Sequence, residues 1–378
     1  MLPVVPTEAV NFGMLIKTIF WICAAWLAYS YLGYPLLLWI AAKIRRRPIK
    51  RAEITPTVSI IIAARNEAVA LPTKLANLRE LDYPQDRLQV IVVSDGSTDR
   101  SVAVLGAEPR VDAIILEEPA GKAAALNEGV RRAEGEILVF LDARQRIGSS
   151  AIRELVACFA DPEVGAVSGE LILGSETPSA LETYWSIEKT IRKLESATGS
   201  VVGVTGAIYA VRRELFKEIP RGTILDDVYV PMQVVRKGKR VVLQSSAVAF
   251  DLVHPRQERE FLRKVRTLTG NYQLLRLNPW LLGPSNPILF RFVSHKLLRL
   301  ACPLLLIGLL VSSALSPEIL LRAVFAAQVL MYGLAALGAA FPRAKHFKPV
   351  AVTDTFVMLN VAAAVALFNF MAQRKATW

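Results

Sequence analysis

The chain has 378 residues, 53% of them hydrophobic, with a mean hydropathy of +0.37; this is too apolar for a wholly soluble protein, so part of it must lie in lipid. Its 45 basic and 33 acidic residues leave a net charge of +12, but the excess gathers beside the apolar stretches, where anionic lipid is the matching partner. No nucleic-acid-binding motif accompanies that charge, so no nucleic-acid partner is expected, and Cys23, Cys158 and Cys302 fit no metal or redox spacing.

In chain order, the first candidate element is a charge-free run from Thr18 to Ala42, longer than the roughly 20 residues a bilayer requires. It exceeds the apolar core of a signal peptide and no cleavage pattern follows, so it is expected to be a retained anchor. KIRRRPIKR (Lys43 to Arg51) comes after it, whereas only Lys17 precedes it. The positive-inside rule then places the amino terminus outside and the following block in the cytoplasm.

Short apolar runs rich in Val, Ile and Leu follow at Val58 to Ala64, Gln89 to Ser94, Ala113 to Glu117 and Glu136 to Leu141, which predicts buried parallel strands. Helical patterns at Leu71 to Leu81, Ser97 to Leu105 and Ala123 to Ala133 separate them, so the block repeats βα units and predicts an α/β, doubly wound sheet. After Ser149 the pattern is more mixed: a helix from Ala151 to Phe159, an extended run from Val164 to Leu173 and a long helix from Ser179 to Ser196. A further helix is expected from Arg259 to Leu275, with Phe261, Leu262, Val265, Leu268, Tyr272 and Leu275 on one face and Arg259, Arg263 and Arg266 on the other. Such a helix can lie on a membrane surface with its arginines toward the soluble block.

Three more charge-free runs, Leu300 to Pro317, Ala323 to Pro342 and Thr355 to Ala372, complete the chain. Arg291, Lys296 and Arg299 precede the first of these, and Arg343, Lys345 and Lys348 separate the last two, which puts both regions in the cytoplasm and the carboxyl terminus outside. The expected division is an anchor at 1–50, a cytoplasmic domain at 51–254, interfacial helices at 255–296 and three spans at 297–378. The expected location is a bacterial-type inner membrane, crossed several times.

The chemistry-bearing residues cluster at strand ends, where ligands of open α/β sheets sit. Arg65 and Glu67 follow the first strand, Asp95 ends the second in VSDGSTD, and Asp142 and Arg144 end the fourth in VFLDAR. Ser97 and Asp99 also suit a turn and a helix cap. In GKAAALNEG, Lys122 precedes a helix whose free N–H groups favour anions. A Walker loop and a GxGxxG motif are both absent, so ATP hydrolysis and dinucleotide redox chemistry have no support. Asp226 and Asp227 begin the helix in ILDDVYVPMQVVRKG; about 100° apart, they cannot aim at one proton, and Asp226 suits capping. His254, after the last strand, is a candidate metal ligand or a structural histidine.

From Val58 to Gln273 the order of these motifs resembles glycosyltransferase family 2, in particular its membrane-bound branch of hyaluronan, cellulose and poly-N-acetylglucosamine synthases. The resemblance implies a GT-A fold with a mixed sheet. By resemblance, Glu67 and Asp95 bind a nucleoside, commonly uridine, Lys122 approaches the base or phosphates, and Asp142 is the first acid of the DxD element that holds Mg²⁺ or Mn²⁺ on the diphosphate. GAIYAVRREL, with Gly206 and Ala207, resembles the segment lining the acceptor site, and Asp227 maps to the catalytic base. Two departures stand out: Arg144 occupies the second DxD position, and RKVRT (Arg263 to Thr267) keeps only the arginine of the QxxRW element. Arg65, Arg144, Arg263 and Arg266 are accordingly expected to help bind the nucleotide sugar.

These features together predict a membrane-bound inverting glycosyltransferase that moves a sugar from a nucleotide-diphosphate sugar, by resemblance a UDP-sugar, to a polysaccharide or lipid-linked glycan at the cytoplasmic face. Polysaccharide export or assembly proteins are the expected further partners. The competing readings are a non-catalytic sugar-nucleotide or partner-binding subunit, motivated by Arg144 and the incomplete QxxRW element, and a small transporter. The latter is disfavoured by spans almost devoid of ionisable residues.

Overall fold

The computed structural model describes residues 7–174, 180–251 and 257–373; His254 and the side chain of Arg259 fall outside them. The soluble block begins with β1 (Val58–Ala64), α3 (Leu71–Arg79), β2 (Leu88–Asp95), α4 (Ser101–Gly106), β3 (Asp112–Leu116), α5 (Lys122–Arg132) and β4 (Ile137–Asp142), preceded by the membrane-type helices α1 (Thr7–Ala28) and α2 (Tyr34–Ile44). It continues with β5 (Arg146–Ile147), α6 (Ala151–Ala157), β6 (Val164–Leu173), α7 (Ala180–Thr198), β7 (Ile208–Arg212), α8 (Asp226–Arg236) and β8 (Arg240–Asp251).

The eight strands among the described residues form one sheet in the order β3-β2-β1-β4-β7-β6-β8-β5. The β1, β2, β3 and β4 strands are parallel, whereas β7 runs antiparallel to both β4 and β6. This is the expected mixed GT-A-type sheet. Strand β1 is buried at all seven positions, and side-chain alternation splits it between two cores. Val58, Ile60 and Ile62 pack with α3 and α6 residues such as Leu75 and Ile152. Ile61 and Ala63 pack on the other face with Leu126 of α5 and Val228 of α8. Because β2 and β4 flank β1 in register, Ser94 opposite Ala64 and Asp142 opposite Ala63, Asp95 and Asp142 end on either side of β1 at the carboxyl ends of the parallel strands.

After the sheet come α9 (Gln257–Leu277), α10 (Leu289–Phe292), α11 (Leu298–Leu315), α12 (Ile319–Ala340) and α13 (Lys348–Met371). Among the described residues, four helical stretches are long and apolar enough to cross a membrane: Phe12–Ile44, Leu289–Leu315, Ile319–Ala340 and Lys348–Met371. The first contains a π-helical turn at Tyr29–Gly33, and the second a π-helical turn at Val293–Leu297 that joins α10 to α11. The second stretch begins eleven residues before the expected Leu300, because Arg291, His295 and Arg299 are turned into the protein and paired there. Charge ended the apolar run in the sequence without ending the helix.

The stripe expected on α9 is also redistributed. Leu262 is 65% exposed, whereas Glu260, Val265, Thr269, Asn271 and Leu274 are buried. The helix therefore turns a partly polar face inward, and α9 packs against α13.

Helix α7 joins the sheet to the membrane-type helices. Its Glu195 is fully buried and accepts hydrogen bonds from the Tyr34 hydroxyl of α2 (2.6 Å) and from His295 Nδ1 (2.8 Å), while His295 Nε2 lies 3.1 Å from Glu188. Arg299 also pairs with Glu188, and Arg291 donates to the Glu195 and Ser200 carbonyls. Burial favours the neutral Glu195 carboxyl, yet His295, Tyr34 and Arg291 hold its pKa below the usual value. Removing one member of such a buried charge network typically costs about 3–5 kcal/mol. Glu195→Ala is therefore expected to lower the thermal unfolding temperature of the detergent-solubilised chain far more than Tyr34→Phe, which removes one hydrogen bond worth about 1 kcal/mol.

Candidate active site

The end of β2 is built as a clamp. Asp95 is fully buried, and its two carboxylate oxygens accept the backbone N–H groups of Ala120 (2.6 Å) and Gly121 (2.9 Å). Gly96, at φ +60°, lies so close to this loop that a Cβ would sit 2.5 Å from the Pro119 nitrogen. Asp95 thus fixes the loop that starts α5 and delivers Lys122.

Lys122 is the centre of the charged cluster. Its ammonium lies 3.1 Å from Asp142 Oδ1 and 3.4 Å from Asp226 Oδ1. Burial opposes its charge, but Asp142, Asp226 and Asp227 together keep its pKa above the ordinary lysine value. Asp226 is the first residue of α8, after a Leu225 cap that makes no side-chain hydrogen bond. Its expected capping role is replaced by the ion pair to Lys122, and its Oδ2 is buried without a hydrogen-bond partner.

Asp227, one position on, turns toward a different space. A Cβ placed on Gly206 would lie 3.6 Å from Asp227 Oδ2 and 3.8 Å from Asp142 Oδ2, so both carboxylates border the space beside this glycine. Burial and the neighbouring Asp226 push the Asp227 carboxyl up to about 6, with Lys122 and Lys296 pulling the other way. The expected meeting of Asp142 and Asp227 is present. Ala207, by contrast, turns its methyl into the core behind the sheet, leaving its backbone as the part available to a ligand.

The β1 end is more open. Arg65 is half-buried; Glu67 lies 3.8 Å from the exposed Arg144, and burial raises its pKa against the pull of that arginine. Below the Asp142 loop, the fully buried Lys74 of α3 donates to the Gln145 carbonyl at 2.7 Å, and Asn77 exchanges two hydrogen bonds with Ile147. These contacts brace the segment carrying Asp142 and Arg144. Ser97 and Asp99 have the turn role anticipated for them: Asp99 accepts the Ser101 and Ala68 N–H groups.

Arg263 is directed elsewhere. Both of its bonds go to Glu260 one turn back, at 2.8 and 2.9 Å, and its guanidinium lies over Trp185. Arg266 is exposed, with no hydrogen bond or ion pair to a described residue. The helical wheel grouped the two arginines correctly but could not show that Glu260, i−3 to Arg263, competes for it. Three participants were missed. The Tyr209 hydroxyl is buried without a hydrogen-bond partner, and its pKa is raised by burial and by Asp226, Asp227 and Asp142; Arg192 and Lys296 act electrostatically on or near Asp227. The only sequence signal for Lys296 was a charge beside an apolar run.

Residues 59–220 match the family model described as glycosyl transferase family 2. The chain is 26% identical over 236 residues to the beta-monoglucosyldiacylglycerol synthase of Synechocystis sp., covering 55% of this chain and 48% of that protein. It is 23% identical over 275 residues to the poly-beta-1,6-N-acetyl-D-glucosamine synthase of Staphylococcus epidermidis, covering 66% of each. The chain therefore spans about half to two-thirds of the length of these relatives. Among solved structures, the mannosyltransferase PcManGT from Pyrobaculum calidifontis, determined in complex with GDP-Man and Mn²⁺, superposes with a TM-score of 0.72 at 25% identity, covering 94% of this chain and 99% of that one. These likenesses agree with one another: residues 59–220 are similar to glycosyl transferase family 2, and the chain shares its fold with a solved glycosyltransferase.

Proposed function

We propose that the protein is an inverting transferase that takes a sugar from a nucleotide-diphosphate sugar and attaches it to a lipid-linked glycan or polysaccharide hydroxyl at the cytoplasmic membrane face. The observation that supports this best is that Asp142 and Asp227 border the same space beside Gly206, with Lys122 paired to Asp142. Asp227 takes the acceptor proton while the acceptor oxygen attacks the anomeric carbon from the side opposite the leaving diphosphate. Its raised pKa suits a base that is ionised near neutrality yet not too weak to accept a proton. Lys122 and the exposed Arg144 face the charge that grows on the leaving group, which is stabilisation directed at the transition state. Glu67 and Arg65 lie where the nucleoside would rest, with Asp95 fixing the loop that delivers Lys122.

A divalent metal fits this site through one carboxylate. Asp142 is half-buried and its Oδ2 makes no hydrogen bond to a described residue, while Mg²⁺ sites are commonly built from one or two carboxylates plus substrate phosphates. Asp142 would hold Mg²⁺ or Mn²⁺, and the ion would supply charge neutralisation on the diphosphate; the solved mannosyltransferase carries Mn²⁺ with its donor. Arg263 and Arg266 have no part in this reading. Residues 1–50 serve as an anchor, 51–254 as the cytoplasmic catalytic domain, 255–288 as interfacial segments and 289–378 as the remaining spans, with both termini outside.

Asp227→Asn is expected to retain donor binding while turnover falls roughly 10²- to 10⁴-fold; nucleoside diphosphate released from a panel of UDP- and GDP-sugars measures both. Undiminished turnover would remove Asp227 from the role, and no release from any donor by the wild-type protein would favour a non-catalytic subunit. Turnover is also expected to rise with pH through about 6 and level off above it, since the base works only when deprotonated. Asp226→Asn removes the adjacent negative charge that raises this pKa, so the rising limb should move to lower pH. Arg144→Asp restores a second acid, and the half-activating Mn²⁺ concentration is expected to fall by roughly tenfold, because ligand charge count tunes affinity.

A further inference from the structure

Beyond the catalytic cluster, a second set of cations lies where α7, α9 and α11 meet. The π-helical turn at Val293–Leu297 is held on several sides: Ser294 pairs with the Tyr29 hydroxyl at 2.7 Å, and His295 is bound between Glu188 and Glu195. One residue on, Lys296 is half-buried and makes no hydrogen bond or ion pair with any described residue, yet it is close enough to Asp227 to lower that carboxyl's pKa. Arg192 lies one turn from both Glu188 and Glu195 on α7, the helix face that holds His295, and is within electrostatic reach of Lys296. Among the described residues its one hydrogen bond is to Ser168 Oγ, at 2.6 Å; that oxygen also accepts the Thr205 N–H at 3.1 Å, immediately before Gly206. Arg192 is therefore fixed beneath the loop that borders Asp227.

Asp227 and Glu195 attract Lys296, whereas Arg192 and Lys264 repel it. Glu195 is already engaged by Tyr34 and His295, and Glu260 by Arg263 and Lys264. Charged groups removed from water are costly unless paired, and an arginine beside a lysine suits a phosphate, which takes several charge-assisted hydrogen bonds. Lys296 comes from the membrane-type stretch Leu289–Leu315 and Arg192 from α7, whereas Lys122 is the first residue of α5 at the strand ends.

Resting on the proposed transfer reaction, we propose that Arg192 and Lys296 bind a phosphate carried by the acceptor, so that the acceptor is a lipid-phosphate-linked sugar whose hydroxyl is presented to Asp227. The phosphate is a recognition group and does not react; the bond formed is from the acceptor hydroxyl oxygen to the anomeric carbon, its proton goes to Asp227, and the bond broken is from that carbon to the donor diphosphate.

The test uses the full chain in detergent, with dodecyl phosphate as probe and dodecanol and inorganic phosphate as comparisons, read by displacement of a fluorescent alkyl phosphate. Wild type is expected to bind dodecyl phosphate at least tenfold more tightly than either comparison. Lys296→Gln and Arg192→Gln should each lose at least tenfold, Lys296→Arg should keep most of the affinity, and binding of the nucleotide sugar should be unchanged in all of them, which also reports that they fold. Equal binding of inorganic phosphate would make this a free-anion site, and equal displacement by phosphatidylglycerol a structural lipid site; either overturns the acceptor assignment, as does an unaffected Lys296→Gln. A wild type that binds no nucleotide sugar would instead sink the transferase reading itself.

Discussion

The Lys122 ammonium is the interaction on which the site depends. Three aspartates, Asp142, Asp226 and Asp227, converge within its electrostatic reach from the end of β4 and the start of α8. Without a cation between them, like charges at such separations would not all remain ionised in a poorly hydrated cleft. Its position follows from backbone geometry rather than from its own flexible stem: Asp95 holds the two amides that precede it, and Gly96 allows the loops to touch. The ligand-facing carboxylates thus rest on one that serves the frame.

Much of the front half of the domain could be read from residue order. Val58 to Ala64 is a strand with the expected bounds, because a short β-branched run buried on both faces has few other ways to satisfy its backbone. Val164 to Leu173 is likewise a strand as expected. Strand-end placement of Asp95 and Asp142 followed from the βα repeat. What the order could not show was direction. Asp95 and Asp142 both end strands, yet one is fully buried against two amides and the other is half-open, a difference set by loop 118–121 packing over one and not the other.

The same limit explains the arginines of α9 and the lysine of α11. A helical wheel places Arg263 and Arg266 on one face but is blind to Glu260, which takes Arg263 out of the cleft. Lys296 was read as a marker of membrane orientation, because its local sequence offers only charge followed by apolar residues. Its position beside Asp227 arises from a π-helical turn, which carries one extra residue per turn and so changes which side chains face inward. Period-3.6 reasoning does not anticipate such a turn.

Helix α7 has consequences for how far the protein can reach. It is fastened at Glu195 and Glu188 to the membrane-type helices, and through Arg192 to the loop bordering Gly206. Under the proposed reaction, the reacting groups would be held at a set distance from the membrane-type helices by a helix instead of a hinge, as by a depth gauge. Substrates would be sorted by the length of the stalk between their lipid tail and their terminal sugar, even where the sugars themselves are identical.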